Sequence, residues 1–373
     1  MPDKTLDIFD REAHNPSIHS LIADTCGSED PHVIVDYCVP CNPYFPTEEM
    51  FTEIEASLRR LLRHYPSDRN LIEKRLAGFV GLPAEGLVLG NGSTELISIL
   101  NQRIAHAPIA TPIPTFGRWT DEPPTLGKTV KMFQMSEQDD FRFSASDFVQ
   151  FCQNVKARTA VLCNPNNPTG FAFGGEELER MIQDLSDLEL IVIDESFAEF
   201  HKGKAVIDVQ AIVARHRNVV FLRSLGKNLG LHGIRMGYAY MAPPMAEQVR
   251  CFLPYWNINA VAEAIIEMLP RHREAYEGSL VLCARDRDYL ATRLQEVPML
   301  KSYSSAANFI LCRLDDRIHG VTLRDQLLYR HGFFVRECGN KVGSSSQFLR
   351  IAVRPKADSD GIVDALKQLL QKM

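Results

Sequence analysis

The sequence predicts an α/β protein with a mainly parallel sheet between layers of helices, followed by a smaller α+β domain. Short apolar runs alternate with helical patterns between residues 86 and 241, the signature of parallel strands joined by crossover helices. Beyond residue 296 the same alternation restarts on a smaller scale. A chain of 373 residues also exceeds what one small core needs, so about two domains are expected.

The first element is a helix over 47–64, TEEMFTEIEASLRRLLRH. It spaces Met50, Phe51, Ile54, Leu58, Leu61 and Leu62 three to four apart, with Glu in its first turn and Arg and His in its last. GLVLG at 86–90 reads as a strand that leads into a helix from 94. TAVLC at 159–163, LELIVID at 188–194, VVFLR at 219–223 and MGYAYM at 236–241 read as further strands, with helices from 175 and from 206 between them. Residues 259–296 read as long helix with Arg and Glu on a solvated face. NFILCRL at 308–314, FFVRE at 333–337 and FLRIAV at 348–353 are strands of the second domain, with helices near 321–331 and 357–371. The expected boundaries are 1–46 for an N-terminal arm belonging to the small domain, 47–265 for the large domain and 266–373 for the small one. With no repeat, low-complexity run or Gly/Ser linker, the two are expected to pack tightly.

Hydrophobic residues make up 45% and charged residues 24%, the balance of an ordinary globular protein. A net charge of -6 offers no long-range attraction to nucleic acid or anionic lipid, so a small-molecule partner is expected instead. No apolar run approaches spanning length, and the N-terminus is acidic where a signal peptide needs a basic start; a cytoplasmic location follows as the expectation. The nine cysteines are scattered and odd in number, which argues for reduced, buried thiols rather than a disulfide framework. Cys38-Val39-Pro40-Cys41 is a CxxC, redox-active or half of a zinc site in other settings, but no second CxxC or HxxxH accompanies it. Cys338 is read in the same way, and no metal site is expected.

Chemistry concentrates where strands end, because ligands of open α/β sheets bind beyond the carboxyl ends of the strands. Gly90-Asn91-Gly92-Ser93-Thr94-Glu95 follows a strand and opens a helix; it suits a phosphate, or is an ordinary capped helix start. Asn164-Pro165-Asn166-Asn167-Pro168-Thr169-Gly170 is a rigid turn presenting amide side chains. Asp194, ending the most apolar strand, is either a helix cap or a buried anion with a cationic partner. FLRSLGKNLGLHGIRMGY at 221–238 puts Lys227 among glycines, eight residues before Arg235. Together these ask for a phosphate-bearing aromatic ring with a cationic nitrogen and an aldehyde, which is pyridoxal 5'-phosphate.

NPNNPTG, DESF and SLGKNLGLHGIRMGY resemble the signature series of class I/II, fold-type I pyridoxal-phosphate enzymes, most like the histidinol-phosphate aminotransferase and threonine-phosphate decarboxylase group. The resemblance runs from about Asp36 to Pro355 and implies a large domain with a mainly parallel seven-stranded sheet. It implies that Lys227 forms the Schiff base and that Asp194 holds the pyridine nitrogen protonated. Asn167 would donate to the ring hydroxyl oxygen, and Phe116 would stack on the ring unless it is a plain core residue. Arg235 and Ser224 would take the cofactor phosphate, capped by the helix start at Gly92, Ser93 and Thr94.

By the same resemblance Tyr65 reaches the cofactor phosphate of a neighbouring subunit, which implies a homodimer; the alternative is a turn tyrosine. Arg350 matches the arginine that forks around a substrate carboxylate. Arg336 matches a second substrate arginine, facing a distal anion in the phosphate-using relatives, or else pairs with a neighbouring Glu. Asn42 matches a segment that folds over the site. Phe197 stands where many aminotransferases of the group have a tyrosine, and the decarboxylase branch often has Phe there. Gly226 replaces the hydroxyl residue usual before the lysine.

The leading expectation is an aminotransferase acting on an amino acid or amino-phosphate, with Lys227 as the general base at the α-carbon. The alternative is a decarboxylase of the threonine-phosphate decarboxylase type, or another α-carbon lyase. A non-catalytic sensor is a third class, but no DNA-binding head precedes Asp36 and Lys227 is intact.

Overall fold

A computed structural model describes residues 18, 20, 21, 34–201 and 207–372. Its larger sheet has seven strands: β2 (Leu87–Asn91), β3 (Ile109–Ile113), β4 (Val130–Gln134), β5 (Thr159–Cys163), β6 (Leu190–Asp194), β7 (Val219–Ser224) and β8 (Met236–Met241). They lie in the order β2-β8-β7-β6-β5-β3-β4. Strand β8 runs antiparallel to both its neighbours, while the remaining pairs are parallel. Two antiparallel steps restore direction, so β2 points the same way as β7, and the carboxyl ends of β2, β5, β6 and β7 share one edge.

The apolar runs in β6 and β7 are continuous because both faces are covered. Ile191, Ile193, Val219 and Phe221 enter one buried cluster, and Leu190, Val192, Val220 and Leu222 enter another across the sheet. A smaller sheet has the order β1-β11-β12-β10-β9. It comprises β1 (Val35–Tyr37), β9 (Leu300–Ser302), β10 (Phe309–Leu314), β11 (Phe333–Glu337) and β12 (Phe348–Ala352). Strand β1 pairs with β11 in parallel, so the segment before the large sheet closes the edge of the small one.

Several elements differ from the sequence-based expectation. The helix expected over 259–296 is two helices, Ala260–Met268 and Arg273–Leu294. Pro270 follows the first and lacks the N–H that a continuing helix needs. Asn259 caps that first helix by accepting from the Ala262 N–H at 2.9 Å. The helix expected from 206 begins at Val209, with 202–206 outside the described residues.

Strands β1, β3, β4 and β9 did not stand out in the sequence. Pro112 obscures β3, since a proline argues against a central strand. The structure accommodates it by limiting the β5-side ladder to Ile109 and Ala110, whereas the β4 side continues to Ile113. The helix Arg273–Leu294 spans both bodies: Arg287 donates to the Phe200 carbonyl at 3.1 Å, and Arg293 pairs with Asp360 at 3.0 Å.

Candidate active site

Strand β7 ends at Ser224 and the chain turns at once into the short helix Leu225–Asn228, which carries Lys227. Phe116, Cys163, Pro165 and Phe197 form the apolar walls of a pocket there, and Asn167, Asp194, Ser196 and Lys227 supply its polar groups. The structure therefore brings Phe116, Asn167, Asp194 and Lys227 together from four separate segments at the strand ends. Burial lowers the Lys227 pKa, opposed by the Asp194 charge and aided by Arg350 and Arg235. Its Nζ stands 4.7 Å from the centre of the Phe197 ring. Phe197 is buried edge-on against Phe309, 5.0 Å between centroids.

Asp194 is held before any ligand arrives. Trp119 donates its indole N–H to Oδ2 at 2.9 Å, while the Ser196 N–H and hydroxyl donate to Oδ1 at 3.1 and 2.6 Å. Trp119 and Ser196 were not singled out from the sequence. Trp119 carries one available signal, being one of only two tryptophans in the chain, and a buried indole N–H must find an acceptor.

The three asparagines of the turn after β5 divide their work. Asn164 accepts from the Phe173 N–H at 2.8 Å. Asn166 donates to the Pro114 carbonyl at 3.0 Å and accepts from the Thr115 hydroxyl at 2.9 Å. Those two lock the turn. Asn167 accepts from Arg350 Nη1 at 2.7 Å, and its NH2 donates to no described residue.

Beyond the pocket, Arg235 donates to the Thr94 hydroxyl at 3.2 Å. Gly92 has φ +75°, and a Cβ there would come within 2.6 Å of Arg235 Nη2. Guanidinium, glycine and the helix start at Ser93 thus form a close cradle of donors suited to an anion. Ser224 lies beside it, opposite Gly237 in the β7–β8 ladder. Gly226 also has a packing reason: a Cβ would meet the His232 Cα at 2.9 Å, so the larger hydroxyl residue usual at that position does not fit this loop.

Arg336 and Arg350 face each other in register across β11 and β12. Both are buried. Like charges directly opposite repel, and each guanidinium is braced by neutral oxygens. Arg336 donates to Asn340 Oδ1 at 2.6 Å, and Arg350 donates to Asn167 and to the Cys38 carbonyl. Arg350 Nε is buried with no hydrogen-bond partner among the described residues, which leaves a donor for an incoming carboxylate.

Other candidate residues sit differently. The Asn42 side chain is occupied within the fold. Its NH2 donates to the Asn228 carbonyl at 2.9 Å and Ser279 Oγ at 2.7 Å, and its Oδ1 accepts from the Tyr44 N–H at 2.9 Å. Its backbone N–H meets the Lys227 carbonyl at 2.8 Å, so the segment clasps the lysine loop by its main chain. Tyr65 is 76% exposed and stacks on Trp256 at 4.3 Å. No disulfide joins the described cysteines. Cys41 Sγ lies 3.0 Å from His232 Nδ1, and burial pushes its thiol pKa up to about 12.

The family model "Aminotransferase class I and II" matches residues 42–369. The chain belongs to that family. Its members use pyridoxal 5'-phosphate, and the larger sheet with its second, smaller sheet is the fold-type I architecture. The chain is 30% identical to an L-serine phosphate decarboxylase of Sulfurospirillum multivorans over 96% of its own length and 93% of that protein's. It is 27% identical to an L-serine phosphate decarboxylase of Campylobacter jejuni, over 95% and 92% of the two chains. A solved decarboxylase from Sulfurospirillum multivorans superposes with a TM-score of 0.86 at 28% identity, covering 97% of this chain and 93% of the other. No described helix is long and apolar enough to cross a membrane.

Proposed function

We propose that this family member decarboxylates an O-phosphorylated α-amino acid of the L-serine phosphate kind, releasing carbon dioxide and the phosphorylated amine. The observation that carries the reading is its likeness, over nearly the whole chain, to L-serine phosphate decarboxylases. These relatives support the decarboxylase alternative better than the transamination expected from the motif series. Phe197 beside Lys227 agrees with that choice, since no phenol stands at that position.

The residues present suit pyridoxal 5'-phosphate. Lys227 would carry it, Asp194 would face its ring nitrogen, Asn167 would donate to its ring oxygen and Phe116 would lie against its face. Gly92, Ser93, Thr94, Ser224 and Arg235 would hold its phosphate. When bound, the cofactor supplies an electron sink for the pair released as the bond from Cα to the carboxylate breaks. Arg350 would orient that carboxylate with its unpartnered Nε. Lys227, whose pKa burial lowers, would in its ammonium form give up the proton that ends on Cα and be left as the neutral amine. One carbon–carbon bond breaks, one carbon–hydrogen bond forms, and no net oxidation occurs. The same reading includes a homodimer, supported by the exposed aromatic surface of Tyr65, Tyr255 and Trp256.

A substrate panel tests the proposal. O-phospho-L-serine or O-phospho-L-threonine should release carbon dioxide with no 2-oxo acid added, whereas L-serine should be a poor substrate. L-histidinol phosphate has no carboxylate to lose. Its consumption with 2-oxoglutarate, in the absence of carbon dioxide release from the phosphoamino acids, would establish the aminotransferase instead.

A further inference from the structure

One short stretch of chain reaches both limbs of the anion cradle. The first limb is the helix start at Gly92, Ser93 and Thr94; the second is Ile234 and Arg235, at the entry to β8. Arg235 has φ +56°, a left-handed conformation that a non-glycine residue keeps only where its surroundings hold it. Asn259 holds the peptide before it. Its NH2 donates to the Ile234 carbonyl at 2.9 Å, while its Oδ1 caps the following helix Ala260–Met268. Two residues earlier, the NH2 of Asn257 donates to Glu95 Oε2 at 2.9 Å and to the Leu89 carbonyl at 3.1 Å. The same Glu95 oxygen accepts from the Asn91 N–H at 2.7 Å, so Asn257 is bonded to both ends of the turn that carries Gly92. The stretch is anchored on its other side as well. Trp256, itself at φ +52°, stacks on Tyr65, and Glu263 of the helix accepts from the Ser67 N–H at 2.8 Å.

We propose that Asn257 and Asn259 are positioning residues for the cofactor phosphate, setting the distance between the two limbs that Arg235 bridges. This rests on the assignment of that phosphate to the cradle. Neither amide needs to touch the phosphate. The donors of the cradle are N–H groups at a helix start and one guanidinium, and such donors act best when they already stand at the anion's distance. Asn259 fixes the backbone from which the guanidinium projects. Asn257 has a second effect through Glu95, the acidic residue in the first turn of that helix. A free carboxylate there competes with the phosphate for the helix-start donors. The Asn257 amide and the Asn91 N–H hold it on the Asn91 side instead.

The test is an absorbance titration of the full-length apoprotein with pyridoxal 5'-phosphate and, separately, with pyridoxal, which has the same aldehyde and ring but no phosphate. Asn259→Ser keeps a capping oxygen for the helix but is too short to reach the Ile234 carbonyl. Asn257→Ala removes the amide that holds Glu95. Each should raise the dissociation constant of pyridoxal 5'-phosphate about three- to tenfold, the size of one or two lost hydrogen bonds, and leave that of pyridoxal unchanged. With Arg235→Ala already in place, Asn259→Ser should add less than about twofold, because its effect passes through that residue; a full effect there would overturn the inference. A residue needed only for the fold would weaken both ligands alike. That outcome, or an unchanged constant for pyridoxal 5'-phosphate in both variants, would overturn the inference and leave the cradle assignment in place. If Arg235→Ala bound pyridoxal 5'-phosphate as tightly as wild type, the cradle assignment would fall and the inference with it.

Discussion

Asp194 accepts three hydrogen bonds from within the protein, which fixes its carboxylate in a site shielded from water. A preorganised charge of this kind contributes far more to a reaction than one that must reorient. Asp194→Ala should therefore retain cofactor while losing turnover by roughly two to three powers of ten or more; steady-state rates within about tenfold of wild type, or 1.4 kcal/mol, would contradict the role. Trp119→Phe keeps the ring but removes one donor to a charged acceptor, so activity should fall roughly tenfold or somewhat more, with the fold intact by circular dichroism. Lys227→Ala should abolish both turnover and the visible absorbance of covalently held cofactor. Retention of that absorbance would place the attachment elsewhere. Lysine among glycines was readable from sequence because the chemistry demands a close backbone. The indole behind Asp194 was not, because Trp119 and Asp194 are 75 residues apart and meet only when the sheet is assembled.

Among the elements, the helix Ser93–Ile99 and the strand that leads into it depend on one backbone conformation. Gly92 holds φ +75° and gives Arg235 the room to lie across it. A side chain there is strained by its backbone and collides with the guanidinium. Gly92→Ala should raise the cofactor dissociation constant about ten- to a hundredfold, from a strain of about 1–3 kcal/mol, measurable by titrating apoprotein with pyridoxal 5'-phosphate. An unchanged constant would remove the cradle from cofactor binding. Strands β5 to β8 were evident because both their faces are buried and the apolar runs are unbroken. Strand β3 was hidden by Pro112, and β4 lies at the sheet edge with partly exposed side chains. The break before Arg273 had a visible cause in Pro270, which the helical pattern on either side outweighed.

Across the whole molecule, the site is shared between two bodies that the sequence separates widely. Arg350 comes from the smaller sheet, while Lys227, Asp194 and Asn167 come from the larger. The Arg350–Asn167 hydrogen bond joins them directly. Motif order indicated the cofactor chemistry because those motifs lie at consecutive strand ends of one sheet. It carried less about reaction type, because the same motif series occurs in both the aminotransferase and the decarboxylase branch of the group. The exposed Tyr65–Trp256 stack belongs to this scale as well. Tyr65→Ala should weaken cofactor retention in a dimeric protein without altering the monomer's fold, and cofactor loss that steepens on dilution would tie the site to the second subunit. The most direct measurement follows the carboxyl carbon itself. Holoenzyme supplied with O-phospho-L-serine labelled with carbon-13 at the carboxyl group should move all the label into carbon dioxide and bicarbonate, with an equal amount of unlabelled O-phosphoethanolamine formed. Label retained in a phosphorylated 2-oxo acid, with the cofactor converted to its pyridoxamine form, would contradict decarboxylation and return the chain to the transaminases.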